Sequence, residues 1–134
     1  MRLILILTAV SLFMGCSARQ LAIDNLGNAL GGAVSRGATT YSRDDDPELI
    51  KEAGPAALKT IEALIDEAPK QRGLLLTAAS GFTQYAYAYI QCEADYVEHQ
   101  DLARATEMRE RARTLYRRAM DYGLRGIETR HPEF

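Results

Sequence analysis

Asp95 and His99 stand one helical turn apart, flanked by Glu93 and Glu98. Carboxylate and imidazole at that spacing could ligate a metal, but a helical carboxylate–histidine centre needs converging ligands from other helices. A second Glu-x-x-His is missing, so a solvated helix end is the better reading. Asp44-Asp45-Asp46 could suggest a calcium loop. It lacks the alternating ligands, central Gly and closing Glu of such a loop, whereas Asp46 as N-cap, Pro47 at N1 and Glu48 in the first turn make a strong helix start. Eight Arg between Arg104 and Arg130 could grip phosphates. Interleaved Glu107, Glu110, Asp121 and Glu128 make them a solvated or partner-facing surface. No nucleophile elbow, phosphate loop, zinc spacing or kinase signature occurs. No metal or other cofactor is expected, and no catalytic residue is assigned. An enzyme would need a polar pocket joining His99 to carboxylates of another helix.

Elements must position whatever function remains. The 134 residues are 47% hydrophobic and 25% charged, globular proportions that allow one domain and exclude disorder. Two Cys exclude a disulfide-stapled miniprotein, and a formal charge of −2 offers no global attraction to nucleic acid.

The N-terminus is specific. Arg2 precedes an apolar run from Leu3 to Met14, too short for a permanent span and suited to an export signal. Leu12-Phe13-Met14-Gly15-Cys16 resembles a bacterial lipobox, with Phe13 where such signals usually carry Leu. Residues 1–15 are then a lipoprotein signal peptide, and Cys16 is the lipid attachment site and mature N-terminus. A non-lipidated signal or a buried helix is the competing reading. Ser17 resembles the outer-membrane retention signal, and stable anchoring needs a second acyl chain. Cys92 would then lack a disulfide partner, and on an apolar helix it reads as a small core residue.

Residues 16–40 read as a lipidated spacer and weak first helix. Leu21, Leu26, Leu30 and Val34 have helical spacing, but Gly27, Gly31, Gly32 and Gly37 each weaken it. Residues 41–134 read as the helical domain. Pro47–Ala68 should be kinked or broken at Gly54-Pro55, and the stretch 69–73 should turn. Leu74–Val97 carries one stripe, Leu75, Ala78, Phe82, Tyr85, Tyr89, Cys92 and Tyr96, widened by Ala79, Ala86 and Ile90. A helix so apolar must be covered from more than one side. A turn near Glu98–Asp101 precedes a last helix to about Arg130, whose seam is Ala105, Met108, Ala112, Leu115, Ala119, Tyr122 and Gly126. No β-structure is expected. Ala57-x3-Ile61-x2-Leu64 before Pro69, and Ala112-x3-Tyr116-x2-Ala119, have the spacing of tetratricopeptide second helices. The expected fold is all-α: antiparallel, tetratricopeptide-like hairpins of α-solenoid type behind the signal peptide.

Three stretches together carry a resemblance: residues 44–49 (Asp-Asp-Asp-Pro-Glu-Leu), 72–88 (Arg-Gly-Leu-Leu-Leu-Thr-Ala-Ala-Ser-Gly-Phe-Thr-Gln-Tyr-Ala-Tyr-Ala) and 111–126 (Arg-Ala-Arg-Thr-Leu-Tyr-Arg-Arg-Ala-Met-Asp-Tyr-Gly-Leu-Arg-Gly). In order and spacing they resemble the T component (TatT) of tripartite ATP-independent periplasmic (TRAP) transporters, over essentially residues 19–134. The resemblance implies a lipid-anchored periplasmic protein of tetratricopeptide-like hairpins that oligomerises as a trimer; with the Cys16 and Ser17 signals, the chain reads as a non-enzymatic protein tethered at the outer membrane. The resemblance also implies engagement of the transporter's periplasmic solute-binding protein, with a small hydrophobic ligand. Family members continue beyond the position of His131-Pro132-Glu133-Phe134, so the chain looks like the N-terminal part of such a protein. A generic envelope scaffold for protein–protein interaction is the alternative. Phe82, Tyr85, Tyr87 and Tyr89 are the candidate ligand- or partner-binding residues; Tyr85, Tyr87, Tyr89 and Tyr96 could line an apolar ligand passage, because phenols offer wide faces with one polar tip. Core packing competes for Tyr85 and Tyr89, and Tyr87 lies off the stripe.

Overall fold

The computed structural model describes residues 2–37 and 43–133, with side chains described from residue 18 onward. The described residues are helical: α1 (Arg2–Ser35), α2 (Pro47–Glu67), α3 (Arg72–Ala86), a π-helical turn (Tyr87–Gln91), α4 (Cys92–Val97) and α5 (Leu102–Glu128). No strand occurs among them. None of the described helices is long and apolar enough to cross a membrane.

Local chemistry sets the boundaries. Asp46 caps α2, its carboxylate accepting from the Leu49 N–H at 3.0 Å, with Pro47 opening the helix as expected. Asp101 caps α5 in the same way through the Arg104 N–H. Of the expected kink or break at Gly54-Pro55, the break does not occur: α2 runs through Pro55. Pro55 is exposed, so water can serve the carbonyl that lost its amide partner. Gly54 meets the Tyr85 ring so closely that a Cβ there would lie 2.8 Å from it. Arg72 and Gly73, expected in a turn, already belong to α3, whose N-cap is the Gln71 side chain.

The first helix also differs from expectation. It is continuous from the signal-like segment into the spacer and ends at Ser35. Leu21 and Leu26 are exposed, and Ile23 and Leu30 pack on the core. The glycines that weaken α1 let it approach α3. A Cβ on Gly73 would lie 1.9 Å from the Gly27 carbonyl oxygen, and one on Gly31 would lie 2.5 Å from the Gly73 Cα. Gln71 fastens the crossing: its Nε2 donates to the Asp24 carbonyl and to Asn28 Oδ1, while its Oε1 accepts from the Leu74 N–H.

The α3 helix is central, as its broad apolar circumference requires, and contacts α1, α2 and α5. Gly54–Tyr85 and Leu58–Gly81 contacts run α2 antiparallel to α3, and Leu75–Gly126 and Ala79–Gly123 do the same for α5. One cluster gathers Leu58, Ile65, Leu74, Leu75, Ala78, Phe82 and Ala119. A second gathers Ile90, Ala94, Met108 and Ala112.

The π-helical turn separates the first cluster from the second and contributes Ile90 to the latter. One additional residue per turn rotates everything beyond it relative to a straight α-helix. The buried row therefore becomes Ala78, Phe82, Ala86, Ile90 and Ala94. The single stripe expected through Cys92 and Tyr96 does not continue: Cys92 is exposed, not a core residue, and Tyr96 is 80% exposed.

Candidate functional site

Phe82, Tyr85, Tyr87 and Tyr89 occupy different environments. Phe82 is buried, stacks on Tyr122 at 6.0 Å and lies beneath the Arg118 guanidinium. Tyr85 and Tyr89 come together, with ring centroids 5.5 Å apart, and both are half-buried. Tyr87, at the start of the π turn, is 59% exposed. The Cys16 side chain lies outside the described residues.

The π turn sets the surface around Tyr87. Within it Gln91 accepts a 2.7 Å hydrogen bond from the Tyr116 hydroxyl of α5. Burial pushes the Tyr116 phenol up, helped by the neighbouring Cys92, Tyr87 and Asp95. A shallow depression of about 450 Å³ lies alongside, between Gln91, Tyr116 and Met120, with Arg109, Arg113 and Arg117 at its edge. This is an open surface suited to a macromolecular contact.

The carboxylates beside His99 serve the fold. Arg109 donates to Asp95 Oδ1 at 2.8 Å and to both Glu98 oxygens at 2.8 and 3.1 Å, clamping α4 to α5 across the turn. The Arg109 hydrogen bonds and charge hold the Glu98 carboxyl below its usual range, and the same pairing raises Arg109 further. Among the described residues no group of His, Cys, Asp and Glu is arranged to hold a metal.

Sequence reasoning missed Glu62. It is buried, pairs with Lys59 at 2.6 Å and accepts from the Tyr122 hydroxyl at 2.7 Å, with Arg118 at 3.6 Å. Burial raises its pKa, but the Lys59 and Tyr122 hydrogen bonds and the Arg118 charge outweigh that and hold it low. Burial, and then the bond to Glu62, pushes Tyr122 up to about 12. The signal lay in the spacing Leu58, Glu62, Ile65, which puts the carboxylate on the buried face of α2. A second groove, of about 560 Å³, lies between α1, α3 and α5 and is floored largely by glycine.

The arrangement offers contact surfaces and an open groove. A protein described as uncharacterized from Treponema pallidum (strain Nichols) is 32% identical over 130 residues, an alignment covering 90% of this chain. The chain spans about 40% of that relative's length. No solved structure matches. The family model described as TRAP transporter T-component matches residues 43–134, a span that includes α2, α3, the π turn, α4 and α5. The chain belongs to the TRAP transporter T-component family.

Proposed function

We propose that the protein is an accessory lipoprotein of a TRAP transporter, which binds the periplasmic solute-binding protein and a small hydrophobic ligand without catalysing a reaction. The observation that carries this reading is the family match over residues 43–134. In it, residues 1–15 are removed on export and Cys16 takes the lipid, which holds the chain in the periplasm at the outer membrane. Residues 16–40 are the lipidated spacer and first helix. The domain from 41 onward is a set of tetratricopeptide-like hairpins, supported by the antiparallel pairing of α2 and α5 with α3 and by their small-residue contacts. Oligomerisation, as trimers, belongs to the same proposal.

Exposed Tyr87, together with Arg113 and Arg117 at the edge of the depression beside Tyr116, forms the partner surface in this reading. Aromatic and Arg side chains suit interface anchors. Crosslinking in intact cells, followed by capture of the tagged chain, should recover a solute-binding protein. A capture that recovers only assembly factors or peptides would favour a general envelope scaffold instead.

A further inference from the structure

The groove between α1, α3 and α5 joins glycines and apolar side chains, with Asn28 and Ser35 on its α1 side, to a cationic rim. Gly31, Gly73, Gly123 and Gly126 leave its floor without side chains, and Leu76, Tyr122 and Ile127 form its walls. Leu76 and Ile127 stay 41% and 42% exposed, so apolar surface is held open toward solvent. At about 560 Å³ the space falls within the roughly 300–1,000 Å³ of small-molecule sites.

The rim is charged with one sign. Arg72 and Arg130 line the groove, and the Arg36 guanidinium folds over Gly32 at its edge. None of these three Arg has an ion-pair partner among the described residues, which is also true of Arg43, Arg111, Arg117 and Arg125, but these three stand around one groove. His131 also lines the groove and faces Glu133 at 3.7 Å. No carboxylate lines it, although the chain as a whole is acidic. Guanidinium groups recognise carboxylates through paired hydrogen bonds, and an apolar trough beside them accepts a hydrocarbon tail.

We propose that this groove binds a free single-chain alkyl carboxylate, its head group held by Arg72 and Arg130 and its tail lying along Leu76 and Ile127. The inference deepens the transport reading by naming the ligand class and its place. The site draws on α1, all of which precedes the family-matched region, so it is not a property of the hairpins alone.

The test uses the full chain in membranes and a diazirine-bearing palmitate analogue, with labelled peptides mapped by mass spectrometry. Labelling should fall on the segments around Leu76 and Ile127 and be competed by laurate far better than by lauryl alcohol. The double variant Arg72→Gln/Arg130→Gln should reduce labelling about tenfold or more, the loss expected for charge-assisted hydrogen bonds. Gly123→Leu should block the groove, and an unchanged helical circular dichroism spectrum would show that the variant folds. Labelling indifferent to the arginines, equal competition by the alcohol, or competition by phosphatidylglycerol vesicles but not laurate would overturn the proposal. Specific labelling without capture of a solute-binding protein would keep the groove and remove the transport role. Capture without labelling would do the reverse.

Discussion

The phenol of Tyr122 on α5 donates a 2.7 Å hydrogen bond to the buried carboxylate of Glu62 on α2, and the same ring stacks on Phe82 of α3. One side chain thus joins three helices through a polar tip and an apolar face. Tyr122→Phe keeps the face and removes the tip, leaving a buried carboxylate with one fewer donor. The expected loss is about 1–3 kcal/mol of stability, read from urea denaturation.

The same pair sets the pH profile. Glu62 has a depressed folded pKa, so its contribution is present above the ordinary value of 4.5 and is lost as pH falls through the lower folded value. Tyr122 is raised from 10 to about 12, so its contribution is present below 10 and is lost as pH climbs toward 12. Stability should be level between these limits and decline on both sides. In Tyr122→Phe the alkaline decline from this pair should vanish and the acid one shrink, which denaturation midpoints across pH would record.

Phe82→Ala opens a cavity between α2, α3 and α5 and removes the ring beneath Arg118. It should cost about 3–5 kcal/mol. An unchanged denaturation midpoint would place Phe82 outside the core.

At the α1–α3 crossing, Gly73→Ala puts a Cβ against the Gly27 backbone, which has no flexible end to yield, whereas Gly123→Ala makes only a 3.9 Å contact with Ala79. The first should cost roughly 3 kcal/mol or more, at the upper end of overpacking, and the second should be nearly neutral. Limited proteolysis of α1 should accelerate in the first variant alone.

These contrasts show where the sequence was legible. The Asp46-Pro47 cap, the turn before Asp101, the central place of α3 and the seam from Ala105 through Ala119 follow from caps and helical spacing, which are local signals. The π turn carries no Pro or Gly to announce it. Its trace is the uniform four-residue step from Ala78 through Phe82, Ala86 and Ile90 to Ala94, which a straight α-helix would let drift off its face. Reading the stripe at alternating threes and fours instead sent it to Cys92 and Tyr96, which are exposed. Pro55 points equally to a kink or a break, because sequence does not say that it faces water. The Glu62 pair and the α1–α3–α5 groove depend on contacts more than forty residues apart, where spacing within one helix is silent.

The clamp of Arg109 on Asp95 and Glu98 is exposed, so its expected readout is local. In Arg109→Ala the Glu98 carboxyl should titrate higher than in the parent, measured by NMR, because the hydrogen bond that holds it low is gone.

Direct binding of the purified chain to the periplasmic solute-binding protein of a TRAP system from the same organism tests the central claim most closely. Calorimetry should show saturable association that Tyr87→Ala weakens while leaving the denaturation midpoint in place. No heat of binding across the accessible concentrations, with both proteins folded, would contradict the account.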